Sequence, residues 1–440
     1  MANLIITSSC NIRCPFCFAA VSGESRMPEM DMDMFQALVN RQAPGAEIRF
    51  CGGEPTQHPD FLDMLAWSIR ETGRPVIIMT NGIWPDHVRE GMAALSVEEW
   101  KRVSVLFNLL EETFYTPGDY QQLIRVLGTV YPLNTILGIT IYSKTFGYRH
   151  LLDLAQQFNI PSLRYSIAAP SLAAPCSQSL GPEDYPALAA RVHEFIMAAD
   201  ARGMAVSSDC GYIPFCMFNP SQQRDLLALG RKGLTIKFHC DSATDIVGNG
   251  EAWRCYGLSS VLRTNTGYFN TIEEMTQYFN NRVRLLKHVH LYEKCNSCEH
   301  LDAGICGGGC FVFRVAKKMQ KDKDTDNDHL FNPFPLDDDA WLLDARPVRN
   351  PMVSLWENQS GEKISALPVL TSLGRTIIHF RDGENKVSFY EVFEACTGEH
   401  TVRDMIERWT HCFEHRNEAT SFFLYTIRLF FDQNAIDFAP

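Results

Sequence analysis

Short apolar runs alternate with longer amphipathic stretches through the first 200 residues, and this alternation restricts the fold of the chain. Six runs are predicted to be strands: Leu4–Thr7, Glu47–Phe50, Pro75–Thr80, Arg102–Leu109, Thr135–Tyr142 and Ser162–Ala168. The helical patterns between them include Met32–Asn40, Pro59–Glu71 and Ala93–Lys101. Six repeats of a strand and a helix predict an α/β fold with a parallel sheet and right-handed crossovers. Periodicity alone does not distinguish a partly closed barrel from an open, doubly wound sheet.

Three cysteines, Cys10, Cys14 and Cys17, follow the first predicted strand within one short loop. Three thiolates in such a loop can each bind one iron of a cubane iron–sulfur cluster, which leaves the fourth iron open to an outside ligand. Zinc is the alternative, although structural zinc sites usually take four ligands as two close pairs. A chance group of structural cysteines is the weakest explanation for this spacing. The loop therefore favours an iron–sulfur cluster.

A second motif, Cys51-Gly52-Gly53-Glu54-Pro55, ends the second predicted strand. The two glycines let a ligand approach the backbone closely, and Glu54 offers a carboxylate to an ammonium group. Taken alone, this sequence is a common turn. Its position one strand after the cysteine loop indicates that the two motifs act together.

Together, Cys-x3-Cys-x-Phe-Cys and Gly-Gly-Glu-Pro resemble the motifs of the radical S-adenosylmethionine (SAM) superfamily. The resemblance implies a partial (βα)6 TIM-like barrel with its site at the carboxyl ends of the strands. It implies that SAM chelates the open iron through its amino and carboxylate groups. The reduced cluster would cleave SAM to methionine and a 5'-deoxyadenosyl radical. Gly52, Gly53 and Glu54 would hold the amino group, and Phe16 would lie near the adenine.

Four polar residues at later strand ends are further candidates for the SAM pocket: Asn81, Asn108, Lys144 and Arg164. Asn81 precedes a glycine, and Asn-Gly is also a common turn. Asn108 stands where the family often has a polar ribose ligand, although the usual residue there is Ser or Asp. Lys144 could pair with the SAM carboxylate or be solvated. A buried Arg164 would need a partner, because an unpaired buried charge is costly.

The middle of the chain contains eight more cysteines: Cys210, Cys216, Cys240, Cys255, Cys295, Cys298, Cys306 and Cys310. Gly250, between Cys240 and Cys255, would permit the tight turn of a hairpin. Thiol pairs joined by a glycine-rich loop suit a metal centre, because backbone amides then lie near sulfur. A four-cysteine zinc site is the alternative.

This pattern resembles the SPASM extension of radical SAM enzymes, which implies auxiliary [4Fe–4S] clusters. One departure is that SPASM proteins usually supply a last cysteine soon after the run, whereas here the next is Cys396. Cys210 and Cys216 would bring the number to eight, enough for two clusters. A single auxiliary cluster with spare thiols is the alternative. Spacing does not show how the eight divide.

Four cysteines stand alone in the sequence: Cys51, Cys176, Cys396 and Cys412. An isolated cysteine is most often a small buried hydrophobic residue. Cys51 is the exception of interest, because it touches the Gly-Gly-Glu-Pro turn.

The last 90 residues are expected to form a separate unit after a charged connection, Lys318–Asp339. Arg375–Phe380 and Lys386–Phe389 are predicted to form a hairpin around Asp382-Gly383, and three helical patterns follow: Tyr390–Cys396, Thr401–Trp409 and Ser421–Phe431. The segment from Phe393 to Val402 resembles the PqqD-like winged-helix fold, which implies recognition of a leader peptide. The alternatives are a capping domain without a ligand and a simple helix N-cap.

Composition limits the partners of the chain. A net charge of −12 argues against nucleic acid or an anionic membrane as the main partner. No apolar stretch is long enough to span a bilayer, so a cytoplasmic protein with reduced thiols is expected.

The predicted domains are a radical SAM barrel at 1–204, a SPASM-like domain at 205–325, a linker at 326–351 and a PqqD-like domain at 352–440.

The sequence thus predicts a radical SAM enzyme that modifies a ribosomally made precursor peptide at an unactivated carbon, by crosslinking, oxidation or epimerisation. A flavodoxin or ferredoxin would supply the electron. Beyond the cluster ligands, no catalytic residue is indicated. One alternative is the same chemistry on a small metabolite. Another is a metal-structured scaffold, against which the amino-acid-binding motif argues.

Overall fold

The computed structural model describes residues 2–17, 27–168, 171–172, 179–230, 236–240, 243–260, 262–284, 290–321, 340–349, 356–357, 364–371, 374–381, 387, 389–413, 415–432 and 436–439. The chain divides into two compact units, the first of Met1–Phe279 with Val289–Lys321 and the second of Asn280–His288 with Asp322–Pro440. Of the predicted features, Cys176, Asp382-Gly383 and most of the charged connection lie outside the described residues.

A parallel sheet forms the centre of the first unit. Its first six strands are β1 (Ala2–Thr7), β2 (Ile48–Gly52), β3 (Val76–Thr80), β4 (Val103–Leu109), β5 (Thr135–Ile141) and β6 (Ser162–Ile167). Each pairs in parallel with the next. The predicted α/β class, the parallel sheet and all six strands are confirmed, because buried apolar runs of this length suit strands covered on both faces.

The sheet extends beyond these strands at both ends. After β6 comes a further parallel strand, β7 (Ala205–Ser208). On the other side of β1 lie β8 (Thr244–Val247), β9 (Glu251–Trp253) and β10 (Arg263–Asn265). β7 was not among the six predicted strands, because it is four residues long and contains only one large apolar side chain, Val206.

The turn between β8 and β9 confirms the predicted hairpin. The two strands are antiparallel, and Gly250 in the turn has a φ of +79°. A side chain there would be strained, and its Cβ would lie 2.9 Å from Oγ1 of Thr266. Glycine at this position therefore sets the geometry of the segment that ends at Cys255.

The helices of the first unit cover the connections between the strands. They are α1 (Met32–Asn40), α2 (Phe61–Arg70), α3 (Asp86–Ala93), α4 (Val97–Trp100), α5 (Pro117–Leu127), α6 (Arg149–Gln157), α7 (Tyr185–Asp200), α8 (Pro220–Gly230), α9 (Ile272–Arg284), α10 (Glu299–Asp302) and α11 (Phe311–Lys321). The division of the chain assigns residues 280–284 of α9 to the second unit. The helix predicted at Ala93–Lys101 was wrong, because Ser96 and Glu99 form a capping box that starts a new helix.

The second unit has two small sheets and four helices among its described residues. Its elements are α12 (Ala340–Asp344), β11 (Arg346–Arg349), β12 (Trp356–Glu357), β13 (Ile364–Thr371), β14 (Gly374–Arg381), α13 (Phe389–Glu394), α14 (Val402–Trp409), α15 (Arg416–Asp432) and β15 (Ile436–Ala439). β11 pairs with β15, and β13 lies between β12 and β14. The helices enclose a core that includes Val392, Ile406 and Phe423.

The predicted hairpin in this unit was placed wrongly. β14 pairs with the preceding strand β13, and Phe389, assigned to a second strand, begins α13. The Asp-Gly signal therefore follows the hairpin that forms. The three predicted helices are confirmed, and so is the N-cap, since Thr401 and Asp404 form a capping box.

No helix among the described residues is both long and apolar enough to cross a membrane. The domain boundaries drawn from the sequence stay a prediction. Residues 340–349, assigned there to a linker, contain α12 and β11.

Candidate functional site

The cysteine loop begins where β1 ends and lies above the carboxyl edge of the sheet. The thiol of Cys10 is exposed and those of Cys14 and Cys17 are partly buried. The amide of Cys17 donates to the carbonyl of Cys14 at 3.1 Å, which fixes the second half of the loop. Burial, followed by the charges of Cys17 and Cys10, raises the pKa of Cys14 to about 12.

The Gly-Gly-Glu-Pro turn is attached to this loop through its backbone. The amide of Gly53 donates to the carbonyl of Thr7 at 2.9 Å, and that of Glu54 donates to Ser9 at 2.8 Å. A Cβ on Gly52 would lie 2.5 Å from the Thr7 oxygen, and one on Gly53 would lie 2.4 Å from the Ser9 oxygen. The glycines thus permit a close approach of the cysteine loop itself, as well as any approach of a ligand.

The carboxylate of Glu54 is fully buried, and its two oxygens have different surroundings. Oε1 accepts from Oγ1 of Thr56 at 2.6 Å, from the Thr56 amide at 3.2 Å and from Oγ1 of Thr80 at 2.8 Å. Oε2 accepts from the amide of Asn81 at 2.7 Å. Burial raises the pKa of Glu54, and these bonds lower it. Oε2 retains acceptor capacity for one further donor.

Asn81 connects the third strand to the cysteine loop. Its Nδ2 donates to Oδ1 of Asn11 at 2.8 Å and lies 3.9 Å from Sγ of Cys10. Asn11 in turn donates to the carbonyl of Ile83 at 2.7 Å. The contacts of Asn81 thus hold the loop and Glu54 together. The place of Asn81 in the SAM pocket stays a prediction.

Phe16 stacks on Tyr142 with ring centroids 5.0 Å apart. Tyr142 directly follows β5 and also makes an edge contact with Phe114. These aromatic rings lie beside the cysteine loop, where a flat base can stack. The adenine role of Phe16 stays a prediction.

The remaining SAM-pocket candidates on β4 and β5 have different environments. Asn108 is exposed on β4 and is paired in register with Gly138 of β5. Lys144 forms an ion pair with Asp184, with 3.0 Å between Nζ and Oδ1, and this pair lowers the pKa of Asp184. Any role of Lys144 with a SAM carboxylate would therefore compete with this ion pair.

Arg164 of β6 is half-buried and forms an ion pair. Its guanidinium donates to Oδ1 of Asp209, which directly follows β7. Burial lowers the pKa of Arg164, and the charges of Tyr212 and Cys51 raise it. The expectation that Arg164 has a partner is confirmed, and that partner is Asp209.

Cys51, which is partly buried, interacts electrostatically with the buried Asp245. Burial, followed by the charge of Asp245, raises the pKa of Cys51 to about 12. Asp245, on β8, accepts from Nδ2 of Asn3 at 2.7 Å, and burial raises its pKa to about 7. Cys51 packs among Ile5, Val247 and other apolar residues. Its surroundings are those of a small, partly buried hydrophobic residue close to a carboxyl group.

The eight cysteines of the middle region all belong to the first unit. Cys295, Cys306 and Cys310 are buried, and the other five are partly buried. No three carboxylate, imidazole or thiol groups among the described residues converge on a single metal-ion position. Thiolates of a cubane cluster bind different irons, so they stand farther apart than the ligands of one ion.

The isolated cysteines of the second unit behave as expected for structural residues. Cys396 is completely buried, and its thiol donates to the carbonyl of Val392 at 3.2 Å. Burial raises its pKa above the ordinary range. Cys412 is partly buried, with its sulfur 3.4 Å from Nε2 of His411.

Sequence reasoning missed several polar and aromatic partners in the site: Asn11, Thr56, Thr80, Tyr142 and Asp209. A signal was present for most of them. Thr80, Tyr142 and Asp209 all stand at or directly after the carboxyl end of a strand. In a parallel sheet those ends meet at one edge, so polar residues there are candidates as a class.

Comparison with known proteins identifies the amino-terminal region. The sequence pattern of the protein family described as "Radical SAM superfamily" matches residues 4–127 of this chain. The tungsten-containing aldehyde ferredoxin oxidoreductase cofactor-modifying protein of Pyrococcus furiosus is 35% identical over 100 residues. That stretch covers 22% of this chain and 28% of the relative's length.

Two solved structures share the fold over most of the chain. Streptococcus suis SuiB bound to precursor peptide SuiA has a TM-score of 0.51 and 17% identity, and the match covers 72% of each chain. Native anSMEcpe with bound AdoMet has a TM-score of 0.52 and 18% identity, covering 71% of this chain and 89% of that one. At these identities the likeness concerns the fold, a mixed sheet with parallel strands. The chain therefore carries a radical SAM domain at residues 4–127.

Proposed function

We propose that this chain is an enzyme that cleaves SAM reductively and uses the resulting radical to modify a ribosomally made peptide at an unactivated carbon. The observation that carries the proposal is the attachment of the cysteine loop to the Gly-Gly-Glu-Pro turn. Two backbone hydrogen bonds join them, and Asn81 contacts both Glu54 and Cys10. A scaffold protein that binds metal only for structural stability would not require the amino-acid-binding motif to be attached to the cysteine loop.

The donor set of the site fits the groups that the chemistry requires. Cys10, Cys14 and Cys17 are thiols in one accessible loop, which suits three corners of a [4Fe–4S] cluster. Oε2 of Glu54 accepts from the amide of Asn81 and retains acceptor capacity for the ammonium of a SAM molecule. When bound, the cluster and SAM would supply a carbon radical that abstracts hydrogen, after one electron from a flavodoxin or ferredoxin.

The protein's own residues would position SAM and exclude water. Glu54 would hold the amino group, with Gly52 and Gly53 keeping the backbone close to the loop. Phe16, stacked on Tyr142, would border the adenine. Asn108 would face the ribose, and Arg164 would border the pocket from β6. Among the described residues, the deeply buried Glu54 is the strongest single anchor.

A peptide substrate is supported by two observations. SuiB, which shares the fold, has been solved with its precursor peptide SuiA. In the second unit of this chain, β14 lies at the end of its sheet in the strand order, and a peptide can add a strand to such an edge. The PqqD-like role of this unit belongs to the same proposal.

A small metabolite is the second candidate substrate. The relative from Pyrococcus furiosus, which is 35% identical over 100 residues, is named as a cofactor-modifying protein. The radical chemistry would be unchanged. The substrate would then bind within the first unit without help from the second.

The test is anaerobic reconstitution followed by a count of iron and sulfide per chain. With SAM and dithionite we expect 5'-deoxyadenosine, and about twelve irons would correspond to one SAM cluster and two auxiliary clusters. A short precursor peptide encoded beside the gene should change mass when added. Zinc in place of iron, with no SAM cleavage, would contradict the proposal; a mass change only in a small metabolite would favour the second candidate.

A further inference from the structure

The side chain of Glu29 contacts the start of the cysteine loop. Its Oε1 accepts from Oγ1 of Thr7 at 3.1 Å and from Oγ of Ser9 at 3.4 Å. Oγ1 of Thr7 also accepts from the amide of Ser9 at 2.9 Å. Because Ser9 directly precedes Cys10, the carboxylate of Glu29 holds the chain where it enters the loop.

Thr7 and Ser9 are also the residues that join the loop to the Gly-Gly-Glu-Pro turn. Their carbonyls accept from the amides of Gly53 and Glu54, at 2.9 and 2.8 Å. The backbone of this short segment is therefore held by the turn, and its hydroxyl groups are held by Glu29.

The backbone around Glu29 is itself held by two parts of the sheet. The amide of Met30 donates to the carbonyl of Ile6 in β1 at 2.8 Å. A Cβ on Gly248, in the turn after β8, would lie 2.6 Å from the carbonyl oxygen of Pro28, so this turn packs directly on the segment. The side chain of Glu29 is 36% exposed, but it starts from a fixed backbone.

His58 faces the second oxygen of the Glu29 carboxylate. Its Nε2 lies 3.6 Å from Oε2, which is longer than a hydrogen bond and short enough for an electrostatic contact. Nδ1 of His58 accepts from the amide of Asp60 at 3.0 Å, so the proton of the neutral ring is on Nε2. His58 is only 3% exposed, and its Nε2 has no hydrogen-bond partner among the described residues. The carboxylate of Glu29 is therefore the acceptor that this buried N–H group faces.

The position of His58 is set by the turn that contains Glu54. Pro55–Gln57 form a turn of 3-10 helix after Glu54, and the amide of His58 donates to the carbonyl of Pro55 at 3.0 Å. The contacts from Thr7 and Ser9 to Glu29, and from Glu29 to His58, are called the Glu29–His58 bridge. This bridge joins the loop to the turn a second time, through side chains.

We propose that Glu29 and His58 are positioning residues for the SAM cluster. The inference rests on the proposed function, in which Cys10, Cys14 and Cys17 hold that cluster. Glu29 and His58 act through Thr7 and Ser9, whose positions determine where the Cys10 thiolate stands relative to Glu54. The bridge thus sets the cluster at a fixed place beside the site for the SAM amino group.

The charge of Glu29 has a consequence for the cluster that a contact needed only for folding would not have. Its carboxylate lies within hydrogen-bond distance of Ser9, the residue directly before Cys10. A negative charge at this place disfavours the addition of an electron to the cluster. Removing the charge therefore raises the reduction potential of a fully loaded cluster.

The test measures the reduction potential and the iron release of the SAM cluster in the full chain after anaerobic reconstitution. The electron paramagnetic resonance signal of this cluster is the one that changes when SAM is added and that is absent from Cys10→Ala. Glu29→Gln should shift its midpoint to a more positive potential. A chelator should also remove its iron at least roughly tenfold faster, because hydrogen bonds to a charged group are lost.

Two substitutions of His58 separate the bridge from general packing. The amide nitrogen of glutamine can take the place of Nε2, so His58→Gln should release iron within about threefold of the original rate. Asparagine can take the place of Nδ1 but offers no donor at Nε2, so His58→Asn should release iron about as fast as Glu29→Gln. Combining His58→Asn with Glu29→Gln should add little, because both substitutions break the same bridge.

His193 and Asp225 supply the matched controls, because they form a second contact between an imidazole and a carboxylate in the same unit. Nε2 of His193, on α7, lies 3.0 Å from Oδ2 of Asp225, on α8. His193→Asn and Asp225→Asn should leave the potential and the iron release of the SAM cluster unchanged. If Glu29→Gln does not fold by circular dichroism, Thr7→Val, which removes one hydroxyl group of the bridge, should show the faster iron release.

Two results would overturn the positioning role: an unchanged potential and iron release in Glu29→Gln, or equal iron release in His58→Gln and His58→Asn. Formation of 5'-deoxyadenosine by the unmodified chain is assayed separately. SAM cleavage without any effect of Glu29→Gln would overturn this inference alone. The expected shifts without SAM cleavage would refute the proposed function and leave the positioning role intact, and a cysteine loop that binds no iron would refute both.

Discussion

Replacing Glu54 by glutamine tests the amino-group site with the smallest change in shape. The amide oxygen can take the place of Oε1 and accept the three bonds from Thr56 and Thr80. The amide nitrogen then takes the place of Oε2, where it faces the amide of Asn81, so that two donors oppose each other. The same nitrogen cannot accept from an ammonium group.

The expected loss follows from these bonds. A hydrogen bond to a charged group contributes about 1.5–3 kcal/mol, so SAM should bind roughly 10- to 150-fold more weakly to Glu54→Gln. The unmatched Asn81 amide should also lower the free energy of unfolding, by about 1–3 kcal/mol. Removing a buried charge opposes this loss, because burial alone raises the pKa of Glu54.

Isothermal titration of SAM into anaerobically reconstituted protein measures the affinity, with the iron content checked for each variant. Glu99→Gln is the matched control, because Glu99 caps α4 at the surface and should leave SAM affinity unchanged. An affinity of Glu54→Gln within about threefold of the original, at full iron content, would refute the reasoning.

Two further predictions concern buried charges. The pKa of Asp245 is about 7 in the folded protein and near its ordinary value in the unfolded chain, so between these values the folded state binds one more proton. The free energy of unfolding should therefore fall as pH rises from about 4 to about 7, by up to about 4 kcal/mol. Asp245→Asn should flatten this slope in denaturant titrations at several pH values, whereas Asp153→Asn, at an exposed ion pair, should keep it. Arg314 is buried, and its guanidinium donates to the carbonyl of Gly307, which directly follows Cys306. Arg314→Gln should lower the reduction potential of an auxiliary cluster bound at this loop by about 60 mV or more, since about 1.4 kcal/mol corresponds to 59 mV for one electron. A redox titration that shows no shift would contradict this expectation.

The sequence allowed the sheet to be predicted more accurately than the contacts above it. Strands such as Thr135–Ile141 were placed to within a residue or two, because their apolar runs are continuous and bounded by turns. β7 was missed, since Ala205–Ser208 offers little apolar surface. The hairpin of the second unit was displaced, because an Asp-Gly signal does not say which neighbouring strands it joins.

Side-chain partnerships were predicted less well, for a physical reason. Burial alone implied that Arg164 has a partner, but Asp209 is 45 residues away and is brought near only by the order of β6 and β7. The bond between Asn81 and Asn11 likewise spans 70 residues. Periodicity describes which face of an element is buried, and it carries no information about which polar groups meet across the sheet edge.

Gly53→Ala tests whether the backbone contact between the two motifs is needed to assemble the site. The new Cβ would lie 2.4 Å from the Ser9 oxygen and 2.7 Å from the Ser8 oxygen, and both are backbone atoms that no side-chain rotation can move. Forcing atoms into such space typically costs about 1–3 kcal/mol, so the cysteine loop should shift away from Glu54. We expect loss of up to about four irons per chain, those of the SAM cluster, with the remaining irons retained. Gly147→Ala is the matched control, because nothing lies within 4 Å of its Cβ position. If Gly53→Ala took up iron and bound SAM like the control, the close approach of the cysteine loop would be incidental and the glycines would serve the ligand alone.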